Sequence, residues 1–369
     1  MDKKIKEKAV KENIGTAVGR PVVREGPGRK SGAEKPPPRK RTAKKAPAKK
    51  RAPKKPAPVE APKKSGLRVG TVALLGRPNV GKSTLINALL GQKIAIVSNK
   101  PQTTRISILG IKTTDRGQII FVDNPGIHKP LHTLNRRMMN FVFSSLETSD
   151  ILCLLVDATQ PFGHGDEFVI EILRKIKLKP IFLLINKVDA VRKDSVLPMI
   201  ERYKDFLPFK EIVPISALTG INLSVLEDLI LKALPEAEKV YSDDEISDQS
   251  ERFLLAEIIR EKVLNHVKQE LPFETAVYID NIEKKTQADK DGNPKPLTYI
   301  QASVFVEKDN QRKIIIGRGG SLIKMIGIEA RREIEEVLET KVYLGLQVRW
   351  RPQWRDSEDV LDLIEGQKG

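Results

Sequence analysis

Residues 72–84 read VALLGRPNVGKST. A run of branched and small apolar residues leads into Gly76-Arg77-Pro78-Asn79-Val80-Gly81-Lys82-Ser83-Thr84, which has the spacing G-x-x-x-x-G-K-[ST]. The apolar run predicts a strand, and the stretch Lys82–Leu90 after it predicts a helix. Glycines let the backbone between them turn so that successive N–H groups point inward at phosphate oxygens. The helix N-terminus adds unpaired donors and a favourable dipole. Lys82 supplies a positive charge for the β- and γ-phosphates, and the Ser83 hydroxyl a ligand for Mg²⁺. This stretch sets the expectation of a nucleoside triphosphate site on an α/β fold.

The surrounding chain agrees. Strand-like runs at Val69–Leu75, Ile106–Ile111, Ile119–Asp123, Ile151–Asp157, Ile181–Asn186 and Ile212–Ile215 alternate with helix-like stretches at Lys82–Leu90, Asn135–Leu146, Glu167–Lys177, Ser195–Leu207 and Leu223–Leu234. That order predicts a mostly parallel sheet with helices on both faces and a ligand at the carboxyl ends of the strands. The remaining motifs fall at those ends. Asn186-Lys187-Val188-Asp189 closes one strand. A carboxylate at Asp189 can accept from both N1–H and the exocyclic amino group of guanine. Adenine lacks that pair of donors, so the site selects guanine. Asn186 and the stem of Lys187 brace the loop and cover the base. Ser216-Ala217-Leu218, after the next strand, offers backbone contacts to the guanine oxygen.

Asp123-Asn124-Pro125-Gly126 ends another strand. Asp123 can hold Mg²⁺ through water, and the Gly126 N–H can sense the γ-phosphate. Upstream lies Gln102-Thr103-Thr104-Arg105. A threonine here can complete the Mg²⁺ shell when the triphosphate is present, and Thr104 is favoured over Thr103. Both loops are expected to order with GTP and loosen after hydrolysis. Ile127 stands just after Gly126, where Ras-type enzymes carry the Gln that orients water. Its side chain cannot polarise water.

The succession GRPNVGKST, QTTR, DNPG, NKVD and SAL, followed by GRGG, resembles the Era family of bacterial GTPases over about residues 67–355. Asn124 departs from the family's usual threonine, while Asp123 and Gly126 are kept. The resemblance implies hydrolysis of GTP to GDP and phosphate with slow basal turnover, and Mg²⁺ as cofactor. It also implies binding of the 3′ end of small-subunit rRNA, assistance to the pre-30S particle, and a monomer. Some related GTPases with an apolar residue after the D-x-x-G glycine bind K⁺ through an asparagine of the phosphate loop, the alternative being an asparagine that only shapes the loop. Asn79 matches that position, so potassium-stimulated hydrolysis is expected.

Residues 312–332 read RKIIIGRGGSLIKMIGIEARR. Gly317-Arg318-Gly319-Gly320 matches the G-x-x-G loop of KH domains, which clamps about four nucleotides of single strand. The expected order α-β-β-α-α-β, with two helices near 321–325 and 328–340 and a long loop at 284–296, matches the type II variant. Lys313 and Lys324 add charge, and Ile316, Ile323 and Ile326 are expected to line an apolar floor for bases. Residues 308–332 hold seven Lys/Arg against two acids. The stretch Arg349–Arg355, with Trp350 and Trp354, either stacks bases or packs a domain end.

The chain has 369 residues and a net charge of +17. Residues 1–66 hold 22 Lys/Arg and 6 Asp/Glu, so the surplus belongs to one Lys/Pro/Ala-rich segment. That segment lacks the apolar content to offset ordering entropy, and it is expected to be a disordered polyanion-binding arm or a solubilising extension. Expected boundaries are 1–66 for this tail, 67–235 for the GTPase domain, 236–250 for a linker, 251–355 for the type II KH domain and 356–369 for a C-terminal tail. One cysteine, Cys153, excludes an intrachain disulfide. No apolar run approaches the roughly 20 residues of a membrane span. The start MDKKIKEKAV offers no secretory signal. His128 and His132 are four apart, but Pro130 breaks the helix that would pair them on a metal. The expected location is cytoplasmic, with peripheral attachment at the inner face of the cell membrane left open through the basic tail. The alternative function is a nucleotide-gated RNA or membrane tether with negligible turnover.

Overall fold

The computed structural model describes residues 66–369, apart from 101, 129, 177–178, 269–270 and 289–293. The tail expected over 1–66 therefore lies outside the described residues, Gly66 excepted.

The first sheet is built around β1 (Arg68–Gly76). Its neighbours are β3 (Gly117–Asp123) and β4 (Ile151–Asp157), both parallel to it. β2 (Ile108–Thr114) is antiparallel to β3 at one edge, and β5 (Ile181–Asn186) and β6 (Phe209–Pro214) continue the parallel ladder at the other. The order is β2-β3-β1-β4-β5-β6. Strands buried on both faces read as continuous apolar runs, as ILCLLVD and IFLLIN do. One face is covered by α1 (Lys82–Leu90) and α5 (Leu223–Ala233), through Leu85, Ile86, Leu226 and Ile230. The other is covered by α2 (Thr133–Thr148), α3 (His164–Leu173) and α4 (Val196–Tyr203), through Met139, Val142, Val169, Leu173 and Tyr203. The α3 helix starts earlier than its apolar pattern because the Asp166 carboxylate accepts the Gly163 N–H and caps the first turn.

Residues 236–250, read as a linker, are laid along the outer strands. The Gln118 side-chain oxygen accepts from Val240 N and Tyr241 N, and Ile111 N donates to Ile246 O. The second module then follows in the order α6 (Glu251–His266), β7 (Thr275–Ala288), β8 (Pro294–Val306), α7 (Asp309–Ile316), α8 (Ser321–Leu338) and β9 (Lys341–Trp350). β8 pairs antiparallel with β7 and parallel with β9.

The second module differs from expectation in two places. The polar stretch 284–296 is not a long loop, because β7 runs to Ala288 and β8 resumes at Pro294. This arm stands clear of the apolar core, so it carries no alternating pattern to mark it as strand. The GRGG turn also does not precede two helices. α7 comes before it, and one continuous helix follows it through Gly327, held by Ile326, Ala330 and Ile334 on its buried face.

The stretch 356–369, expected as a C-terminal tail, is structured. It holds α9 (Glu358–Glu365), docked across both modules. Trp354 and Leu361 are buried with Ala276 and Phe305 of the second sheet and with Leu134 and Met138 of α2. Arg137 of α2 pairs with Glu358, with Asp362 at 2.7 Å and with Glu365 at 3.0 Å. Gln367 is buried and bonds Ile279 N at 2.7 Å and Val277 O at 3.2 Å. Among the described residues no helix is long and apolar enough to cross a membrane.

Candidate functional site

The carboxyl ends of β1, β3, β4 and β5 open on a cleft of about 450 Å³. Its floor is the phosphate loop, including Arg77 to Thr84, and one wall is 96–99 and 102–104 with Gly126. Gly81 has φ +99°, and a Cβ there would lie 2.3 Å from Asn186 Nδ2, so only glycine fits. Asn186 joins three loops. Its Nδ2 donates to Val80 O at 2.8 Å, and its Oδ1 accepts from Ala217 N at 2.9 Å. Lys187 Nζ donates to Asn79 O at 2.9 Å and pairs with Asp157 at 2.5 Å. Val188 N bonds Ile215 O, Ser216 is buried, and Asp189 and Leu218 are exposed and do not line the cleft. Asn186 and Lys187 are thus held against the phosphate loop.

Ser83, Thr104 and Asp123 meet in the cleft. Ser83 Oγ lies 2.7 Å from Asp123 Oδ2 and 2.9 Å from Thr104 Oγ1, and Thr104 Oγ1 lies 3.1 Å from Asp123 Oδ2. Thr103 Oγ1 instead donates to Lys100 O at 2.6 Å, away from this group. Burial raises the Asp123 carboxyl above its ordinary pKa, against the opposing charge of Lys82 and the two hydroxyl bonds. Burial lowers Lys82 to about 8, partly offset by Asp123. Asp123 Oδ1 is buried with no partner among the described residues. A buried carboxylate oxygen without a donor, behind two hydroxyl-bearing residues that line a polar cleft, suits a hard cation such as Mg²⁺.

The second loop packs under the first. A Cβ on Gly126 would meet Pro78 Cα at 2.9 Å, so the two backbones are in contact. Ile127 N donates to Gly76 O at 3.1 Å, and the Ile127 side chain is buried in the core, turned away from the cleft. Asn124 is buried and its Oδ1 accepts from Ser107 Oγ at 2.9 Å, while Pro125 links it to Gly126. Arg105 leaves the cleft altogether. Its guanidinium donates to Thr275 O at 2.6 Å and Pro272 O at 3.1 Å in the second module. Gln102, at φ +59°, lines the cleft, with its side chain 3.4 Å from His128 Nε2.

In the second module Gly317, Gly319 and Gly320 all have positive φ, between +57° and +80°. Arg318 and Gly319 are exposed, flanked by exposed Lys313, Ile316 and Lys324 and half-buried Ile323. Ile326 is a correction: it is fully buried in the core between α8 and the sheet, so it forms no part of a groove floor. Trp354 packs a domain end, with Nε1 donating to Glu274 O at 2.9 Å, while Trp350 is half-exposed.

A family model described as a 50S ribosome-binding GTPase matches residues 71–187, and a KH domain model matches residues 279–355. A crystal structure of Era in complex with MgGDPNP and nucleotides 1506–1542 of 16S ribosomal RNA is 40% identical, with a TM-score of 0.76, over 81% of this chain and 98% of that one. The chain belongs to the Era family. A variant of Era from Aquifex aeolicus bound to GDP and AlF4⁻ is similar to the same degree, at 40% identity and a TM-score of 0.76 over 81% of this chain and 99% of that one.

Within this Era-family chain, several residues around the cleft were not legible in the sequence. Asp166 pairs with Arg77 at 2.8 Å and Asp157 with Lys187. His128 bridges Gly126 O, at 2.7 Å, to the Asn135 side chain. Arg260 and Glu261 reach the 93–105 segment from α6. None sits in a recognisable motif. Their only signal is a charged or polar side chain in an otherwise apolar setting, which many surface helices share.

Proposed function

We propose that this chain is a GTP-binding and GTP-hydrolysing switch that binds the 3′ end of small-subunit rRNA and assists small-subunit assembly. The observation that supports it most is one described unit that carries both a phosphate-loop cleft and a GRGG module, at 40% identity to an Era captured with MgGDPNP and 16S rRNA nucleotides. In this reading Gly76 to Thr84 hold the phosphates, and Gly126 with Gln102 and Thr104 faces the γ-phosphate. Asn186 to Asp189 and Ser216 to Leu218 take the base. Lys313, Ile316 to Gly320, Ile323 and Lys324 take single-stranded RNA.

Ser83, Thr104 and, through water, Asp123 would hold Mg²⁺, which when bound offsets phosphate charge. Lys82 lies against the loop it serves, with Nζ 3.2 Å from Arg77 O, ready to turn to a phosphate oxygen. Since Ile127 is buried, no side chain at that position orients the attacking water, and basal turnover is slow. Asn79, whose side chain reaches Asn99 O at 2.8 Å in the cleft wall, would hold K⁺. Residues 67–235 and 251–355 divide these tasks. Cytoplasmic residence, with the basic tail able to meet an anionic membrane face, belongs to the same reading.

The experiment is hydrolysis of GTP and ATP with Mg²⁺, in KCl and in NaCl, alongside binding to a short RNA copying the 3′ end of 16S rRNA. Slow GTP-specific turnover raised by K⁺, with RNA binding removed by Gly319→Asp, is the expected result. RNA binding that survives Gly319→Asp, or turnover indifferent to the base, overturns it.

A further inference from the structure

The segment 93–105 carries Thr104 into the cation-binding group, yet much of what holds it comes from the RNA-binding module. Lys93 Nζ pairs with Glu261 of α6 at 2.5 Å and with Glu333 of α8 at 2.6 Å. Glu261 Oε1 also accepts Val97 N at 3.0 Å, so one carboxylate holds a side chain and a main-chain donor of the same segment. Arg260 donates to Thr103 O and is itself held by Glu257. On the other side of Thr104, Arg105 is buried among the carbonyls of Pro272, Phe273 and Thr275, with Trp354 beneath it at 5.5 Å. Thr104 thus has a second-module anchor on each adjoining residue.

The charges involved are costly to strand. Arg260 is 2% exposed and Glu261 5%. A buried charge is tolerated only while paired and hydrogen-bonded, and removing one partner is strongly destabilising. If the 93–105 segment left the cleft, Arg260 would lose the Thr103 carbonyl and Glu261 would lose Val97 N–H and Lys93. The second module therefore favours the arrangement in which Thr104 meets Ser83 and Asp123. A line of contacts also leads to the RNA loop. α8 begins at the end of the GRGG turn, and its Glu333 touches both Lys93 and Lys262.

We propose that Arg260 and Glu261, on the first helix of the RNA-binding module, are positioning residues of the nucleotide site. They hold 93–105 so that Thr104 stays on the cation group, and with Lys93 and Glu333 they couple RNA on the GRGG loop to the triphosphate. This rests on the proposed function. Coupling of two binding events is reciprocal, so each ligand must raise affinity for the other by one and the same factor.

The test uses the full chain and a fluorescent GDP and non-hydrolysable GTP analogue, with Mg²⁺, with and without the 3′-end RNA. Arg260→Lys keeps the charge but loses the fork that spans Glu257 and Thr103. Lys93→Gln breaks the ion pairs from the half-exposed side. GDP does not call on Thr104, so its affinity is expected to stay within twofold in both variants, which also shows that they fold. The ratio of analogue to GDP affinity is expected to fall about tenfold in Arg260→Lys and about threefold in Lys93→Gln. RNA affinity without nucleotide should be kept, while its increase with the analogue is lost. Ratios and RNA response equal to the parent's overturn the proposal. Should Arg260→Lys lose GDP binding, Lys93→Gln decides alone, and an unchanged ratio there overturns it. A parent chain without guanine-nucleotide or RNA binding would instead sink the functional reading itself.

Discussion

Asn186→Asp exchanges one NH₂ for an oxygen of nearly equal size. In the parent, Nδ2 donates to Val80 O at 2.8 Å and Oδ1 accepts from Ala217 N at 2.9 Å, in a side chain only 2% exposed. The aspartate keeps the second bond and loses the first. It leaves a carbonyl without its donor and places a carboxylate oxygen against it. An unmet buried acceptor costs about 1–3 kcal/mol, and carboxylate–carbonyl repulsion pushes the total to the upper part of that range. The penalty falls on the link between the base loop and the phosphate loop, so it appears in nucleotide affinity. About 2–3 kcal/mol corresponds to roughly 30–150-fold weaker GDP binding. Titration of a fluorescent GDP, with the melting temperature measured alongside, reads both effects. A dissociation constant within threefold of the parent's, with the melting temperature unchanged, would refute the view that Asn186 braces the two loops.

Other perturbations separate the remaining parts. Gly319→Asp places a side chain and a negative charge at a φ of +57°, so RNA binding should fall at least tenfold in a filter or anisotropy assay while GDP affinity stays put. Trp354→Ala empties a site shared by α2, the second sheet and α9, and about 3–5 kcal/mol of stability should go, read by urea denaturation. Loss under 1 kcal/mol would mean that the two modules do not depend on this contact. The thiol of Cys153 is fully buried in β4 and burial pushes its pKa up. It should therefore resist thiol reagents until the sheet opens, and stoichiometric labelling within minutes in native buffer would contradict the packing.

The legibility of this protein divides by the range of the interactions. The phosphate loop, the NKVD tetrad, the DNPG turn and the GRGG loop are local. Each places its groups through backbone geometry within a few residues, and the chain order of these short motifs states both fold and chemistry. Strand positions were readable for the same reason, since a buried parallel strand must be apolar along its length. Helix ends and the β7–β8 arm were not, because Asp166 capping Gly163 and the exposed arm leave no periodic trace.

Contacts between distant segments were beyond the sequence. Thr104 lies on the cation group and Arg105 in the other module, yet both are polar residues in one short run, QTTR. Arg260 and Glu261 look like any charged pair on an amphipathic helix, and only packing buries them against 93–105. Residues 356–369 look like a short divergent tail until Trp354 and Leu361 find Leu134, Met138 and Phe305. The phosphate loop, the NKVD tetrad and the GRGG loop were each legible in the chain because each is a short contiguous stretch of backbone whose geometry is local. How the two modules are joined follows from packing, because a buried charge acquires its partners only when separate elements close around it.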